Sequence, residues 1–401
     1  MSDKRLIAIF CSTFPPEVSG ASGRIYNLAV LLREAGFEVQ IVCAMPNYPV
    51  GKVFTSYRGK MIVDEVLDGI SVRRVALFPS NVSTPLIRAF SLSSFVLSLR
   101  IFAYRWLLRK SPVLVIVSSP PLPMAADVIR FFKKKNKQVL LNVSDIWPLS
   151  ASALGAVSDG KLYQAMQRRE QKMYAQADAI TAQSESTLTH IKAALRQAKP
   201  LMLYRNLPAL IPELSEPETI PEMRLIYPGV LGHAQGLLEF CKHIDLKSLG
   251  IGLDIFGGGP ELLSIKKWIQ QHPDCGVQLF DSVSPSELPA LLRRYRAMLI
   301  NLNTDIEGAV PSKLFTAIAA SIPVVFNAGK EGTEIVEKWG LGWTANPGDF
   351  KTISQNIRAL KEQPDKAFIE MRNRINQAST QAFNKKIQDA GMLEFVRNIL
   401  S

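Results

Sequence analysis

One lysine at the start of an apolar helix is the most chemically pointed feature of this sequence. The stretch Val310-Pro311-Ser312-Lys313-Leu314-Phe315 is a polar turn that leads into small and apolar residues, Leu314 to Ala320. A β-branched pair, Val324-Val325, follows directly after Pro323. This order predicts a loop, a helix N-terminus and the next strand of an α/β sheet. A helix N-terminus beside a cation attracts anions, so a phosphorylated ligand is expected at Lys313. The glycines Gly229 and Gly232 would let backbone approach a pyrophosphate closely. A second glycine group, Gly257-Gly258-Gly259-Pro260, stands before Glu261 as a strand-to-helix turn. It is not a G-x-G-x-x-G fingerprint with a following acid, which argues against a nicotinamide site.

The first half carries fewer chemical groups. Gly20, Ser22, Gly23 and Arg24 form a small-residue loop that opens a helix. Arg24 suits either a phosphate or a surface acid. Asp145 ends a strand just before Trp147-Pro148. Such a carboxylate either orients and deprotonates a hydroxyl or caps a turn. His233 is either a pH-dependent anion contact or a surface histidine.

The elements that must hold these residues alternate. Strands are expected at Leu6 to Phe10, Val39 to Ala44, Val113 to Val117 and Val139 to Val143. Helices are expected at Arg24 to Ala35, Pro123 to Lys135 and Lys161 to Ala177. The alternation implies a parallel sheet covered on both faces. A polar stretch with four prolines, Leu207 to Met223, reads as a linker. The pattern restarts at Leu225-Ile226-Tyr227 and continues with Gly252 to Phe256, Val277 to Phe280, Ala297 to Leu302 and Val324 to Asn327. Two βα domains in series, 1–206 and 224–384, are therefore expected around the 207–223 linker, each presenting strand carboxyl ends to a cleft between them. A final helix over 385–401 is placed to return to the first domain.

At 401 residues the chain suits two domains, and its formal charge of +12 suits either an anionic partner or a generally basic surface. No lysine-arginine run with interleaved aromatics suggests a nucleic-acid groove. Cys11, Cys43, Cys241 and Cys275 lack metal-ligand spacing and read as thiols in a reducing compartment. The apolar run Leu6 to Phe10 reads as a first strand, too short for a signal peptide. Residues 86–109 are apolar and aromatic but interrupted by Arg88, Arg100, Arg105 and Arg109. That pattern fits a helix lying in a membrane interface, or one packed on the sheet.

Ordered motifs along nearly the whole chain carry a resemblance. The N-terminal marks are Phe14-Pro15-Pro16-Glu17, Pro46-Asn47-Tyr48-Pro49 with Gly51-Lys52-Val53, and Tyr57-Arg58-Gly59. The middle marks are Ser118-Ser119-Pro120-Pro121 and Asp145-Ile146-Trp147-Pro148 with Ala153-Leu154-Gly155. The C-terminal marks are Gly229, Gly232, Ala234-Gln235-Gly236-Leu237, Gly257 to Pro260, and Val310 to Phe315. Together they resemble the retaining glycosyltransferases of family 4, whose GT-B fold pairs two Rossmann-like domains. The branch it looks most like builds bacterial O-antigen, capsule and exopolysaccharide, and includes N-acetylfucosaminyl transferases.

The resemblance implies a UDP-sugar donor, plausibly an N-acetylated 6-deoxyhexose, and a polyprenyl-diphosphate-linked saccharide acceptor. No metal is required in this fold, since backbone amides and one or two cations stabilise the leaving phosphate. The implied donor residues are Gly229, Gly232, Gln235, Gly258, Gly259, Pro260, Glu307, Ser312, Lys313, Leu314 and Thr316. Lys313, His233 and Asp145 are the implied catalytic groups, and Gly20, Ser22, Gly23 and Arg24 face the diphosphate and acceptor. The implied location is cytoplasmic, at the inner face of the plasma membrane through residues 86–109, beside other polysaccharide-assembly transferases.

Some positions depart from the family pattern. Val230 and Gln235 stand where many relatives carry arginine and lysine. Thr316 replaces the glutamate that holds the ribose hydroxyls, and a neutral hydroxyl binds them more weakly. Two other readings therefore stay open: a UDP-sugar epimerase or hydrolase, and a non-catalytic protein that binds a sugar nucleotide or a partner transferase.

Overall fold

The computed structural model describes residues 5–48, 50–80, 84–153, 160–208, 222–284 and 287–401. Pro49, the Leu154-Gly155 part of the middle motif and most of the expected linker, 209–221, lie outside the described residues. The chain divides into two units, Met1–Asn206 with Asp389–Ser401, and Leu207–Gln388.

The first unit is built on eight strands: β1 (Leu6–Phe10), β2 (Glu38–Ala44), β3 (Ile62–Leu67), β4 (Ile70–Val75), β5 (Leu114–Ser119), β6 (Gln138–Val143), β7 (Ala179–Ala182) and β8 (Leu201–Leu203). Their order is β3-β4-β2-β1-β5-β6-β7-β8. All neighbours pair in parallel except β3 and β4. Those two form a hairpin through Asp68-Gly69, both at positive φ, which the sequence reading did not anticipate. Strand β1 shows why the sheet is covered on both faces. Leu6, Ala8 and Phe10 join one core cluster, while Ile7, Ile9 and Cys11 join the other. Met392 and Val396 of the final helix, Lys385–Leu400, belong to that second cluster.

The second unit has six parallel strands: β9 (Glu222–Pro228), β10 (Gly252–Phe256), β11 (Val277–Phe280), β12 (Tyr295–Asn301), β13 (Val324–Asn327) and β14 (Gly342–Thr344). Their order is β11-β10-β9-β12-β13-β14. Strand order therefore reverses between β9 and β12. In parallel sheets that reversal opens a crevice at the strand carboxyl ends, where ligands bind.

Candidate functional site

In the second unit the expected residues gather at this reversal point. The penultimate residue of β9 is Tyr227, whose side chain is fully buried. Its hydroxyl donates to the Val230 carbonyl at 2.9 Å and accepts from Lys313 Nζ at 2.6 Å. Lys313 lies in the first turn of the helix Ser312–Ala319, which follows β12. Its Nζ also sits 4.1 Å from the Tyr227 ring centroid. Burial pushes the ammonium down to about 7 and raises the phenol above its ordinary value. The phenol thus stays neutral and offers only an oxygen and a π-face, which leaves the cation without a counter-charge among the described residues.

Glycines make this approach possible. A Cβ on Gly229 would stand 2.6 Å from Lys313 Cε. A Cβ on Gly257 would stand 1.9 Å from the Gly229 carbonyl oxygen, and one on Gly259 would stand 2.6 Å from that of Leu231. The loops after β9 and β10 are zipped together by Gly229 N to Phe256 O, Leu231 N to Gly258 O and Glu261 N to Leu231 O, at 2.8 to 2.9 Å.

Asparagines at the end of β12 fix the rest of the loop. Asn301 donates to the Gln235 carbonyl and Asn303 to that of His233, each at 2.8 Å. Tyr227, Asn301 and Asn303 are not among the residues expected from the sequence. Their signal was available: a polar side chain at the carboxyl end of an otherwise apolar strand faces the ligand side of the sheet.

Several expected residues turn out differently placed. The Gln235 amide oxygen accepts from Gly232 N at 3.1 Å and so closes its own loop. Leu314 is fully buried in the core, which leaves only its backbone to meet a ligand. The Thr316 hydroxyl donates to the Ser312 carbonyl one turn back, at 3.3 Å. Glu307 is exposed on the loop between β12 and the Lys313 helix. The His233 ring is largely exposed and its Nδ1 lies 3.1 Å from Glu261 Oε1. The other Glu261 oxygen is buried with no hydrogen-bond partner among the described residues. Also among the described residues, no group of three His, Cys, Asp or Glu could hold a metal ion.

The first unit holds a separate polar cluster at the carboxyl ends of β6 and β7. The helix expected from Arg24 begins earlier, at Gly20, because Ser19 caps it by accepting from Ser22 N at 3.1 Å. Gly20, Ser22, Gly23 and Arg24 therefore lie in its first five residues rather than in a loop. A Cβ on Gly23 would meet nothing within 4 Å. Arg24 is buried and donates to Gln183 Oε1 at 2.9 Å and to the Ser144 hydroxyl. Its Nε has no partner, nor do the buried Ser22 Oγ, Asn142 Nδ2 and Thr181 Oγ1, among the described residues. Burial raises the Asp145 carboxyl, and the Arg24 charge opposes that rise. Burial likewise lowers the Arg24 guanidinium, against the pull of Asp145. Desolvated groups with spare donors at strand carboxyl ends fit a polar ligand. Ser144 and Gln183 were not anticipated.

Residues 19–206 match the family model for the glycosyl transferase 4-like domain, and residues 213–382 match that for glycosyl transferases group 1. Over 375 residues the chain is 24% identical to WcaI of Escherichia coli (strain K12), a glycosyl transferase named for colanic acid biosynthesis; the match covers 88% of this chain and 91% of that one. Sucrose-phosphate synthase of Thermosynechococcus elongatus has a similar fold, with a TM-score of 0.71 at 15% identity over 99% of both chains. Anabaena HepE, solved in complex with UDP and glucose, reaches 0.67 at 12% identity over 98% of this chain and 100% of that one.

Proposed function

Since this chain is a glycosyltransferase of the GT-B fold, its halves matching the 4-like and the group 1 glycosyl transferase domains, we propose that it transfers a sugar from a UDP-sugar to a polyprenyl-diphosphate-linked saccharide in bacterial surface polysaccharide synthesis. The observation that carries this reading is the Lys313 ammonium, desolvated and, among the described residues, without a counter-charge at the β9/β12 reversal. A diphosphate there supplies the missing anion. The likeness to WcaI supports the polysaccharide setting, and the UDP complex of HepE supports the nucleotide. The resemblance favours an N-acetylated 6-deoxyhexose as the sugar and retention at its anomeric carbon.

In this reading the bond between the anomeric carbon and the diphosphate oxygen breaks. The acceptor hydroxyl oxygen bonds to that carbon on the same face, and its proton leaves with the diphosphate. Negative charge grows on the leaving phosphate, so Lys313 and the helix N-terminus stabilise the transition state more than the ground state. The Gly229–Gly232 and Gly257–Gly259 loops admit the diphosphate to backbone N–H groups. The Arg24–Asp145 cluster of the first unit holds the acceptor, with Asp145 orienting its hydroxyl.

The test is calorimetric titration with UDP, using GDP as control, followed by turnover of UDP-sugars on a lipid-linked acceptor. Saturable UDP binding with transfer supports the reading. Donor consumption without acceptor would point to a hydrolase or epimerase instead.

Two further outcomes belong to the donor site. Lys313 titrates near 7 when empty, and a bound diphosphate holds it charged. UDP binding should therefore take up close to one proton at about pH 8 and little at about pH 6. Titration in buffers of different ionisation enthalpy reads this directly; equal uptake at both values would contradict it. Thr316→Glu restores the carboxylate that the resemblance implies at this position. It should raise UDP affinity about tenfold through charge-assisted hydrogen bonds to the ribose. Unchanged affinity would place the ribose elsewhere.

A further inference from the structure

We infer that the helical stretch Leu86–Arg109 is a docking surface that lies in the plane of an anionic lipid bilayer. The inference gives a physical location to the lipid-linked acceptor and rests on the proposed function only for that purpose.

The stretch is long and apolar enough to cross a membrane by length and composition. Its packing excludes crossing. Phe95, Leu99, Ala103, Tyr104 and Leu107 are buried in the core of the first unit. A π-turn, Arg100–Tyr104, lies between the helices Pro85–Leu99 and Arg105–Arg109. The wider turn shifts the register, so Tyr104 and Leu107 keep facing the core on the line set by Phe95 and Leu99. The Tyr104 hydroxyl donates to the buried Asp127 at 3.0 Å, and Arg100 Nε does so at 2.9 Å. Spanning a membrane would tear out this whole face and strip the buried Asp127 of Tyr104 and Arg100, two of its three partners, leaving only Arg130.

The opposite line is open. Leu86, Phe90, Leu97 and Ile101 are 80%, 60%, 57% and 59% exposed. Their spacing of four, seven and four residues keeps them on one face. Phe78, itself exposed, extends this line, its ring 5.1 Å from that of Phe90. The same spacing continues into Arg105 and Arg109, both exposed. An apolar line that ends in arginines matches an interfacial helix, with rings and aliphatic chains at acyl depth and guanidinium groups at the headgroups.

Charge decides the occupant. Arg105 and Arg109 are exposed and in no ion pair among the described residues, and residues 69–126 contain no aspartate or glutamate. A second copy docked on this face would bring the same arginines and no carboxylate of residues 69–126 to meet them. Anionic headgroups supply the counter-charge that Arg105 and Arg109 lack among the described residues.

The test is flotation of the full chain with vesicles, without nucleotide. Equal mixtures of phosphatidylglycerol and phosphatidylcholine should bind it, and pure phosphatidylcholine should not. The double variant Leu97→Asp/Ile101→Asp should lower the bound fraction at least about tenfold. A second variant, Leu97→Trp, should show a blue shift of its emission on the mixed vesicles, which a purely structural helix would not give. UDP titration of both variants should match the wild type, so a failure of docking and a failure of the donor site read out separately. Three results would overturn the inference: no preference for anionic vesicles, a solution dimer that the double variant abolishes, or retention of the protein in membranes after alkaline carbonate extraction.

Discussion

Replacing Lys313 by methionine should abolish measurable UDP binding and lower transfer by about 10²- to 10³-fold, the loss typical for removing one group that meets developing charge. No other side chain reaches the same position among the described contacts. Val230 and Gln235 stand where the resemblance implies an arginine and a lysine, and the Gln235 amide oxygen is already engaged with Gly232. His233 pairs with Glu261 and is largely exposed, so its charge is a weak substitute. The variant should nevertheless stay folded. Burial lowers the Lys313 ammonium from 10.5 to about 7. A depressed lysine penalises the folded state fully below its folded value, and the penalty vanishes above its unfolded value. At about pH 6 the wild type carries that penalty, and Lys313→Met does not. Its melting temperature should therefore be equal to the wild type's or a few degrees higher, while binding is lost. A melting curve and a UDP titration on one preparation check both halves. Lost binding together with a much lower melting temperature would mean that Lys313 holds structure rather than ligand.

Much of this arrangement was legible in the residues. Apolar runs of strand length, alternating with helical patterns, give two parallel sheets because a βαβ sheet is buried on both faces. The motifs Phe14 to Glu17 and Pro46 to Tyr48 were legible only as family marks. The structure supplies their physical cause. Glu17 is buried, and its carboxylate accepts from Phe14 N at 3.2 Å and from Asn47 N and Tyr48 N at 2.8 Å, tying the loops after β1 and β2 together. What stayed illegible depends on long-range placement. Nothing local to Tyr227 announces that its hydroxyl will meet an ammonium 86 residues away. Nothing local to Ser144 or Gln183 announces that Arg24 will reach them at the strand carboxyl ends. The start of the Gly20–Glu34 helix was misread for a different reason. Two glycines argue against helix by propensity, and the Ser19 cap with the buried Ser22 and Arg24 overrides them.

The glycine turn after β10 carries the second large effect, because its two neighbouring glycines do opposite things. Gly257 has φ +158, and a Cβ there would stand 1.9 Å from the Gly229 carbonyl oxygen. That oxygen is backbone, so no side-chain rotation relieves the clash. Gly257→Ala must push apart the loops that Gly229 N to Phe256 O and Leu231 N to Gly258 O hold together. The expected loss is about 3 kcal/mol, or a drop in melting temperature on the order of 10 °C for a unit of this size. Gly229 abuts the Lys313 stem, so the same displacement moves the diphosphate site and should weaken UDP binding by at least about tenfold. Gly258 is the internal control. A Cβ there meets nothing within 4 Å. Gly258→Ala should melt within a degree or two of the wild type, since surface changes away from special geometry stay near about 0.5 kcal/mol. Equal melting temperatures for the two variants would show that the loops do not approach this closely. A low value for Gly257→Ala alone, with UDP affinity intact, would separate the packing of the turn from the binding of the donor.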